Sequence, residues 1–255
     1  MDLHLHLQSL RQKGKKALAV LIDPDSLRLD NLDQTIALSV KSGVDFFLIG
    51  GSLILNDEMD LCLEKLRKES NIPLILFPGS TFQISNKADA LLFLSLISGR
   101  NAELLIGKHV ITAPLIKQSD LEVISTGYMI IDGGVPTAVQ YMSNTNPIPT
   151  NKPDIAVCTA MAGEMLGLKL IYMDAGSGAK YHIPVEMIHA VRASIDLPLI
   201  VGGGIRSAQT TFDLARAGAD IIVVGNAIEQ DPALIIEMKN ALSAAEKGMV
   251  KSPQK

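Results

Sequence analysis

Eight short apolar runs, separated by longer segments of helical periodicity, constrain the fold of this 255-residue chain more than any other feature. Near-continuous apolar character over a few residues is typical of strands buried on both faces, as in parallel sheets covered by helices. Eight such units in a chain of this length predict an α/β fold with a single (β/α)8 TIM barrel, one domain over residues 1–255. The runs occupy 17–23, 45–51, 72–79, 90–97, 127–134, 169–176, 197–204 and 220–226.

Six of the intervening segments have the apolar spacing of amphipathic helices, and several close with glycine, a frequent residue at helix C-termini. The third unit is irregular, because 80–89 is too short and too polar for a good helix. Residues 134–153 form a Pro/Asn-rich insertion that we interpret as a lid or a surface loop. At the termini we expect a helix or extension over 1–16 and a flexible tail over 246–255. The six helical segments are 30–43, 57–70, 153–167, 184–195, 207–218 and 231–248.

The composition excludes several classes of function. Net charge is only -4, no Lys/Arg-rich run occurs and aromatic residues make up 4%, so nucleic acid is not expected as a partner. Cys62 and Cys158 lie far apart without metal-ligand spacing, which favours a reducing compartment and no structural zinc. Neither a signal-peptide pattern nor an apolar run long enough to span a membrane is present, and we therefore expect a cytoplasmic protein without a transmembrane segment.

The ends of the predicted strands carry acids and small residues, and in barrels of this type chemistry occurs where strands end and loops begin. Glycines after the seventh and eighth runs precede helix starts, so they would present backbone N–H groups to an anion. Tight loops alone also favour glycine, but the two loops together predict a phosphate site. The glycines concerned are Gly203, Gly204 and Gly225, with Asn226 after the last of them.

The stretch "YMDAGSGAKYH", residues 172–182, ends an apolar run with a lone carboxylate, Asp174. The residues that follow, including Gly176, Ser177 and Gly178, are small. A backbone with few side chains lets another molecule come close to it. This loop is therefore a second candidate binding segment beside the phosphate site.

These motifs resemble those of the geranylgeranylglyceryl phosphate synthases, prenyltransferase barrels that attach a C20 chain to sn-glycerol 1-phosphate. The resemblance runs from about 17 to 230 through "LIDPD", "IGGS", "LFPGS", "NKPDIA", "YMDAGSGA", "VGGGIRS" and "VGNAIE". It implies magnesium (Mg2+) near Asp23 and Ser52 and a glycerol phosphate site at the loops after the sixth, seventh and eighth strands. The residues implied for that site are Tyr172, Met173, Asp174, Ala175, Gly176, Ser177, Gly178, Gly203, Gly204, Gly225 and Asn226.

Asp23 and Ser52 have the residue types that the implied Mg2+ needs. The departing diphosphate of a prenyl transfer requires a cation, and Mg2+ takes one or two protein oxygens together with substrate phosphates and water. One carboxylate and one hydroxyl at adjacent strand ends supply those oxygens. Taken alone, Asp23 would be interpreted as a turn residue or helix cap, and Ser52 as a helix start; their coincidence with the other motifs favours the metal.

Asp174 is the residue that we expect to act as the catalytic base. The attacking group of the implied reaction is the C3 hydroxyl of glycerol phosphate, a poor nucleophile until its proton is removed. Members of the family often have glutamate at this position, and aspartate is one methylene shorter. The alternative is that Asp174 only caps the loop that follows it.

The function implied by the resemblance is Mg2+-dependent transfer of a geranylgeranyl group from geranylgeranyl diphosphate to the C3 hydroxyl of sn-glycerol 1-phosphate. The products are geranylgeranylglyceryl phosphate and diphosphate, in the biosynthesis of ether phospholipids. The expected partners are therefore two small-molecule substrates. The resemblance also implies a homo-oligomer, either a dimer or a hexamer, and the lipid product implies transient contact with a membrane.

Two other functions remain open at this point. Another phosphate-binding barrel enzyme, such as a lyase, isomerase or synthase of small-molecule biosynthesis, would use the same glycines. It would usually require a catalytic Lys or a Cys/Asp pair at the strand ends, and no predicted strand here ends in Lys. A non-catalytic phosphate-binding barrel is the second alternative, and it would leave the acids at the strand ends without a purpose.

Overall fold

Eight parallel strands form a closed barrel in this computed structural model, which describes residues 2–25, 31–56 and 58–249. Each strand pairs with the next one in the chain, and the eighth pairs with the first. The predicted (β/α)8 barrel is therefore confirmed. The strands are β1 (Ala17–Ile22), β2 (Phe46–Ile49), β3 (Leu74–Leu76), β4 (Ala90–Leu96), β5 (Glu122–Ile130), β6 (Leu170–Asp174), β7 (Leu199–Gly202) and β8 (Ile221–Val224).

The helices surround this barrel, and all six helical segments expected from the sequence contain one. Residues 77–89 contain no helix, as predicted for the irregular third unit. Among the described residues, no helix has the length and apolar character needed to cross a membrane. The helices are α1 (Leu3–Gln12), α2 (Leu32–Ser42), α3 (Met59–Glu69), α4 (Lys108–Lys117), α5 (Ala138–Ser143), α6 (Pro153–Met165), α7 (Val185–Arg192), α8 (Ala208–Ala217), α9 (Asn226–Gln230) and α10 (Leu234–Met249).

Strand β5 begins at Glu122, earlier than the apolar run 127–134 indicated. Its first residues include the polar Glu122, Ser125 and Thr126, so they do not form a continuous apolar run. The Glu122 carboxylate accepts hydrogen bonds from the backbone N–H groups of Leu3 and His4, both 2.6 Å long. The beginning of β5 therefore satisfies the free N–H groups in the first turn of α1.

Two further differences concern helices. Helix α4, which follows a π-helical turn at Glu103–Gly107, has no counterpart among the predicted helices. Its amphipathic pattern is weak, since Ile111 is exposed while Thr112 and Ile116 are both buried. The expectation of a flexible tail from 246 is wrong for its first four residues, because α10 continues to Met249. Residues 250–255 lie outside the described part of the chain.

The insertion 134–153 is anchored to the end of β5. It contains α5, and the buried Ile148 forms a parallel bridge with Ile131. The Ile148 N–H donates to the carbonyl of Ile130 and the Asp132 N–H donates to the carbonyl of Ile148, each at 2.9 Å. This segment therefore lies against the same end of the barrel as the predicted site.

An aromatic cluster fills the barrel interior just below the C-terminal ends of the strands. The rings of Phe77 and Tyr172 stack with centroids 5.1 Å apart, and Tyr128 packs edge-on against Tyr172 at 5.5 Å. All three side chains belong to the core inside the barrel, which is separate from the larger core between sheet and helices. The cluster thus forms a rigid floor beneath the loops.

Candidate active site

Two adjoining cavities open at the C-terminal ends of the strands. The first, about 330 Å3, is lined from the ends of β1, β2, β6, β7 and β8, and we call it the polar cavity. The second, about 490 Å3, lies between the loops after β2 and β3, strand β4 and helix α4, and we call it the apolar cavity. Ser52, Leu53 and Tyr128 line both cavities. The two cavities therefore meet at these three residues.

The polar cavity brings together most of the residues that the sequence predicted. Met173, Ala175 and Gly176 are the predicted residues that do not line it. Met173 belongs to the core between sheet and helices, because alternation along β6 directs Tyr172 and Asp174 into the barrel and Met173 outward. The predicted residues that line the cavity are Asp23, Ser52, Tyr172, Asp174, Ser177, Gly178, Gly203, Gly204, Gly225 and Asn226.

Asp174 is held in a fixed position at the end of β6 and is only 7% exposed. The hydroxyl of Tyr128 donates to its Oδ2 at 2.5 Å, and the N–H of Gly176 donates to its Oδ1 at 2.8 Å. Burial raises the pKa of this carboxyl above its ordinary value, while the two hydrogen bonds act in the opposite direction. A carboxylate with a raised pKa is a stronger base than an ordinary aspartate.

Two tyrosines surround this carboxylate. Burial and the neighbouring charge of Asp174 raise the pKa of both Tyr128 and Tyr172 well above the usual value, so both remain neutral hydroxyl donors. The Tyr172 hydroxyl approaches Gly202 so closely that a Cβ there would lie 2.7 Å from it. The sequence prediction missed Tyr128. The register that places Tyr128 opposite Tyr172 on the neighbouring strand brings it to the site.

The loops after β6, β7 and β8 converge at one side of the polar cavity. Gly203 has a φ of 84°, and a Cβ on it would lie 2.7 Å from the backbone nitrogens of Ala175 and Gly176. The Ser177 hydroxyl donates to Oδ1 of Asn226 at 2.9 Å, which joins the loop after β6 to that after β8. Small residues thus let the three loops lie close together, and the N–H groups of Ala175 and Gly176 hold them by donating to the Gly202 carbonyl and to Asp174.

Arg206 supplies a positive charge beside these loops. Its guanidinium donates to the carbonyls of Ala179 at 2.5 Å and Lys180 at 3.0 Å, and its side chain also lines the polar cavity. Arg206 therefore fixes the loop after β6 and places its charge at the edge of the cavity.

The residues at the ends of β1 and β2 fit a magnesium ion. The carboxylate of Asp23 lies against Gly51, where an added Cβ would be 2.9 Å from each of its oxygens. Ser52 lines the same cavity, as do two acids that the sequence prediction missed, Asp25 and Glu229. No group of three or more His, Cys, Asp or Glu within the described ranges could hold a metal. This arrangement fits an ion that completes its shell with water and substrate phosphates.

Gln83 joins the loops after β2 and β3 and was also missed. Its buried Oε1 accepts from the N–H groups of Gly51 at 3.3 Å and Gly79 at 3.0 Å, and its Nε2 donates to the Gly51 carbonyl at 2.9 Å. The two loops are in close contact, because a Cβ on Gly79 would lie 2.2 Å from the carbonyl oxygen of Gly51. One amide therefore holds the loop that carries Ser52.

Replacing Gln83 with Ala should lower the free energy of unfolding by about 2–3 kcal/mol, because it removes three hydrogen bonds between the buried Gln83 amide and the backbone of Gly51 and Gly79. Urea denaturation measures this loss. The matched control is Gln118→Ala, at an exposed position after α4, which should change stability by no more than about 0.5 kcal/mol. Equal losses in the two variants would show that Gln83 does not clamp these loops.

The sequence of this chain is similar to that of known proteins along most of its length. The sequence profile of the PcrB family matches residues 11–245. The chain is 54% identical over 235 residues to a geranylgeranylglyceryl phosphate synthase of Chitinophaga pinensis, covering 92% of this chain and 93% of the relative. It is 48% identical to the synthase of Spirosoma linguale, with 96% and 99% covered. The archaeal synthase of Korarchaeum cryptofilum is 39% identical, with 93% and 98% covered.

Solved structures agree with the sequence comparison. A geranylgeranylglyceryl phosphate synthase from Thermoplasma acidophilum, in complex with its substrate sn-glycerol-1-phosphate, has a TM-score of 0.86 at 30% identity, covering 93% of this chain and 98% of that one. The enzyme of Thermoplasma volcanium has a TM-score of 0.84 at 31% identity, with 95% and 97% covered. These similarities confirm the resemblance that the strand-end motifs indicated.

Proposed function

Since this chain belongs to the PcrB family, we propose that it joins geranylgeranyl diphosphate to the C3 hydroxyl of sn-glycerol 1-phosphate, releasing diphosphate and giving geranylgeranylglyceryl phosphate. The observation that carries the proposal is the junction of the two cavities. The buried Asp174 lies in the polar cavity, and the apolar cavity begins at Ser52, Leu53 and Tyr128. A substrate with a charged head and an apolar tail fits such a junction.

The apolar cavity has the lining that a prenyl tail requires. Its walls include Leu92, Leu94 and Leu104 from β4 and the π-helical turn, together with Ile116 from α4. Of the described residues that line it, only Lys108 carries a permanent charge. A tail in this cavity would place its diphosphate beside Ser52, at the boundary with the polar cavity.

Asp174 performs the proton transfer in this proposal. The C3 oxygen of glycerol phosphate attacks C1 of the prenyl group, the bond from C1 to the diphosphate oxygen breaks, and the hydroxyl proton passes to the Asp174 carboxylate. The hydrogen bonds from Tyr128 and Gly176 hold the carboxylate in one orientation, while each oxygen keeps a lone pair free.

We further propose that Asp23 and Ser52 hold Mg2+, which would neutralise charge on the departing diphosphate. Asp23 supplies a carboxylate oxygen and Ser52 a hydroxyl at the boundary of the two cavities. Gly51 between them allows the Asp23 carboxylate to lie directly against the backbone. Gln83 keeps the loop after β2 in place.

The glycerol phosphate site should distinguish the two mirror-image substrates. The loops after β6, β7 and β8 surround the ligand from three sides, and a chiral molecule held by three or more fixed contacts cannot bind equally well as its mirror image. We expect sn-glycerol 1-phosphate to bind more tightly than sn-glycerol 3-phosphate. Calorimetric titration with each enantiomer measures this preference, and equal affinities would contradict the proposed site.

The alternative functions gain no support from the site. A lyase, isomerase or synthase of the kind considered above would need a Lys or a Cys/Asp pair at the strand ends. The described strand ends bear aspartates, glycines and small polar residues instead. A non-catalytic barrel would use Asp174 only to cap the loop after β6, although burial raises its pKa and so disfavours the ionised form.

We also propose a homo-oligomer, either a dimer or a hexamer, in the cytoplasm. The support for self-association is an exposed apolar stripe on α4 and the turn before it, formed by Ile106, Val110, Ile111 and Leu115. The support for a reducing compartment is that Cys62 and Cys158 are free thiols. Gel filtration coupled to light scattering measures the assembly.

A further inference from the structure

Three loops at the mouth of the apolar cavity contain no charged residue. They are 50–56 after β2, 78–86 after β3 and 133–151 after β5, and together we call them the uncharged rim. Charged residues make up 20% of the chain, so an average stretch as long as 133–151 would contain several. The absence of charge from all three loops marks this end of the barrel as a distinct surface.

The uncharged rim also exposes large apolar side chains. Among the described residues, the two most exposed of this kind are Phe82, at 87%, and Tyr141, at 86%, and both belong to the rim. Leu53, Leu55 and Met142 are exposed in the same loops. Aromatic and aliphatic side chains in this position would leave water if a nonpolar phase covered them.

The rim is continuous with the cavity assigned to the prenyl tail. Leu53, Phe82 and Met142, one from each of the three loops, all line the apolar cavity as well as reaching solvent. A tail that leaves the cavity therefore passes directly onto the exposed apolar side chains of the rim. On such a path the tail would not contact bulk water.

We propose that the uncharged rim docks on the surface of a lipid bilayer, so that the prenyl substrate enters and the lipid product leaves through the docked face. This inference rests on the proposed prenyl transfer. If a prenyl tail occupies the apolar cavity, the mouth of that cavity opens onto the nonpolar phase from which the tail comes. Docking uses apolar contact with the interface, because the rim itself offers no cation for anionic lipid headgroups.

The apolar stripe on α4 differs from the rim and is not part of the docking surface. Its residues lie on α4 and the turn before it, and none of them lines either cavity. The stripe lies outside both cavities, whereas Leu53, Phe82 and Met142 of the rim line the apolar cavity. The α4 stripe is therefore available for contact with a second copy of the chain, while the rim contacts the bilayer.

The chain contains no tryptophan, which allows a direct test with a single fluorescent reporter. Phe82→Trp places it on the rim, and Leu61→Trp places it on α3, at a position 63% exposed outside both cavities. With vesicles of phosphatidylcholine we expect a blue shift and quenching by brominated lipid for Phe82→Trp only. An unshifted Phe82→Trp spectrum, or equal shifts at both positions, would overturn the proposal.

Flotation of the full chain with the same vesicles measures docking itself. Phe82→Ser combined with Tyr141→Ser should lower the bound fraction about tenfold or more, since it removes two large apolar contacts. The control pairs Leu61→Ser with Met165→Ser, at positions 63% and 80% exposed, and should bind as the parent chain does. Melting curves verify that each variant is folded. Equal binding by rim variant and parent would refute the docking surface.

Salt and lipid charge distinguish the proposed contact from electrostatic adsorption. Binding through the uncharged rim should persist at high salt and should not require phosphatidylglycerol in the vesicles. Binding that requires anionic lipid and disappears with salt would contradict it. So would a rim variant that changes only the oligomer mass in light scattering, because the rim would then be covered by a second copy.

Failure of this inference is separable from failure of the proposed reaction. If prenyl transfer proceeds on detergent-dispersed substrate while the chain does not bind vesicles, the docking surface is wrong and the reaction stands. If the chain binds vesicles through Phe82 but transfers no prenyl group, docking stands and the proposed reaction is wrong.

Discussion

Replacing Asp174 with Asn should lower the rate of prenyl transfer by about 10²–10⁴-fold, the usual contribution of a positioned general base. The substitution preserves size and hydrogen bonding, because the Asn Oδ1 can still accept from Gly176 and its amide can donate to the Tyr128 oxygen. Mg2+-dependent binding of prenyl diphosphate should therefore survive. Steady-state assays of the parent and the variant measure the loss. A near parental rate would show that Asp174 is structural.

The matched control is Asp132→Asn. Asp132 also accepts a backbone hydrogen bond in the following loop, from the N–H of Gly134 at 2.8 Å, but it lines neither cavity. This variant should transfer prenyl groups at close to the parental rate. Asp174→Glu should stay active, since it keeps a base at the same position. Loss of activity in Asp132→Asn would point to a general effect on the strand ends.

The raised pKa of Asp174 also predicts an effect on stability. A group whose folded pKa lies above its unfolded value stabilises the fold below the unfolded pKa, about 3.9 for Asp, and loses that contribution as the pH rises through the folded pKa. The ionised Asp174 is therefore a cost at neutral pH. Asp174→Asn should melt at the same or a higher temperature there, with the advantage vanishing in acid. In the parent, the rate should fall as acid protonates Asp174.

Replacing Asp23 with Asn should have the second largest effect, a fall in kcat/KM for prenyl diphosphate of at least about 10²-fold. The physical reason is that the substitution removes the charged ligand of the cation. That cation stabilises the charge on the departing diphosphate in the transition state by several kcal/mol. Affinity for glycerol phosphate alone should stay near that of the parent. Loss of a base would instead leave Mg2+-dependent binding of prenyl diphosphate intact.

A binding measurement separates this role from a simple loss of activity. Mg2+ with inorganic diphosphate should raise the melting temperature of the parent but not of Asp23→Asn. Asp154→Asn, which removes an exposed carboxylate from α6, should keep the response. If Asp23→Asn responded as the parent does, the ion would be held elsewhere.

The strand ends could be predicted because a strand buried on both faces is an apolar run in the sequence. Seven of the eight runs end at an acid, a glycine or an asparagine, and the fourth ends at Ile97. Since parallel strands point the same way, Asp23, Asp174, Gly203 and Asn226 had to meet at one end of the barrel. The polar cavity contains all four.

Tyr128 and Gln83 could not be predicted in the same way. Tyr128 lies within an apolar run, and its importance comes from the register between β5 and β6 and from its hydrogen bond to Asp174. Gln83 lies in the segment without a helix after β3, where no periodicity determines the direction of a side chain. Contacts between distant parts of the chain decide both roles.

Helix α4 was not predicted, for a different reason. It contains Pro114, and its outer face carries apolar residues such as Val110 while Thr112 is buried. Amphipathic patterning assumes that the apolar face lies inward. Here the inner face borders a cavity, so that assumption does not hold.

The measurement that tests the central claim most directly is incubation of the chain with radiolabelled sn-glycerol 1-phosphate and geranylgeranyl diphosphate, with and without Mg2+, followed by extraction into organic solvent. The proposed function predicts label in the organic phase only when both substrates and Mg2+ are present, with release of diphosphate. Label that stays in the aqueous phase of the complete reaction, while the protein is folded and binds sn-glycerol 1-phosphate, would contradict it.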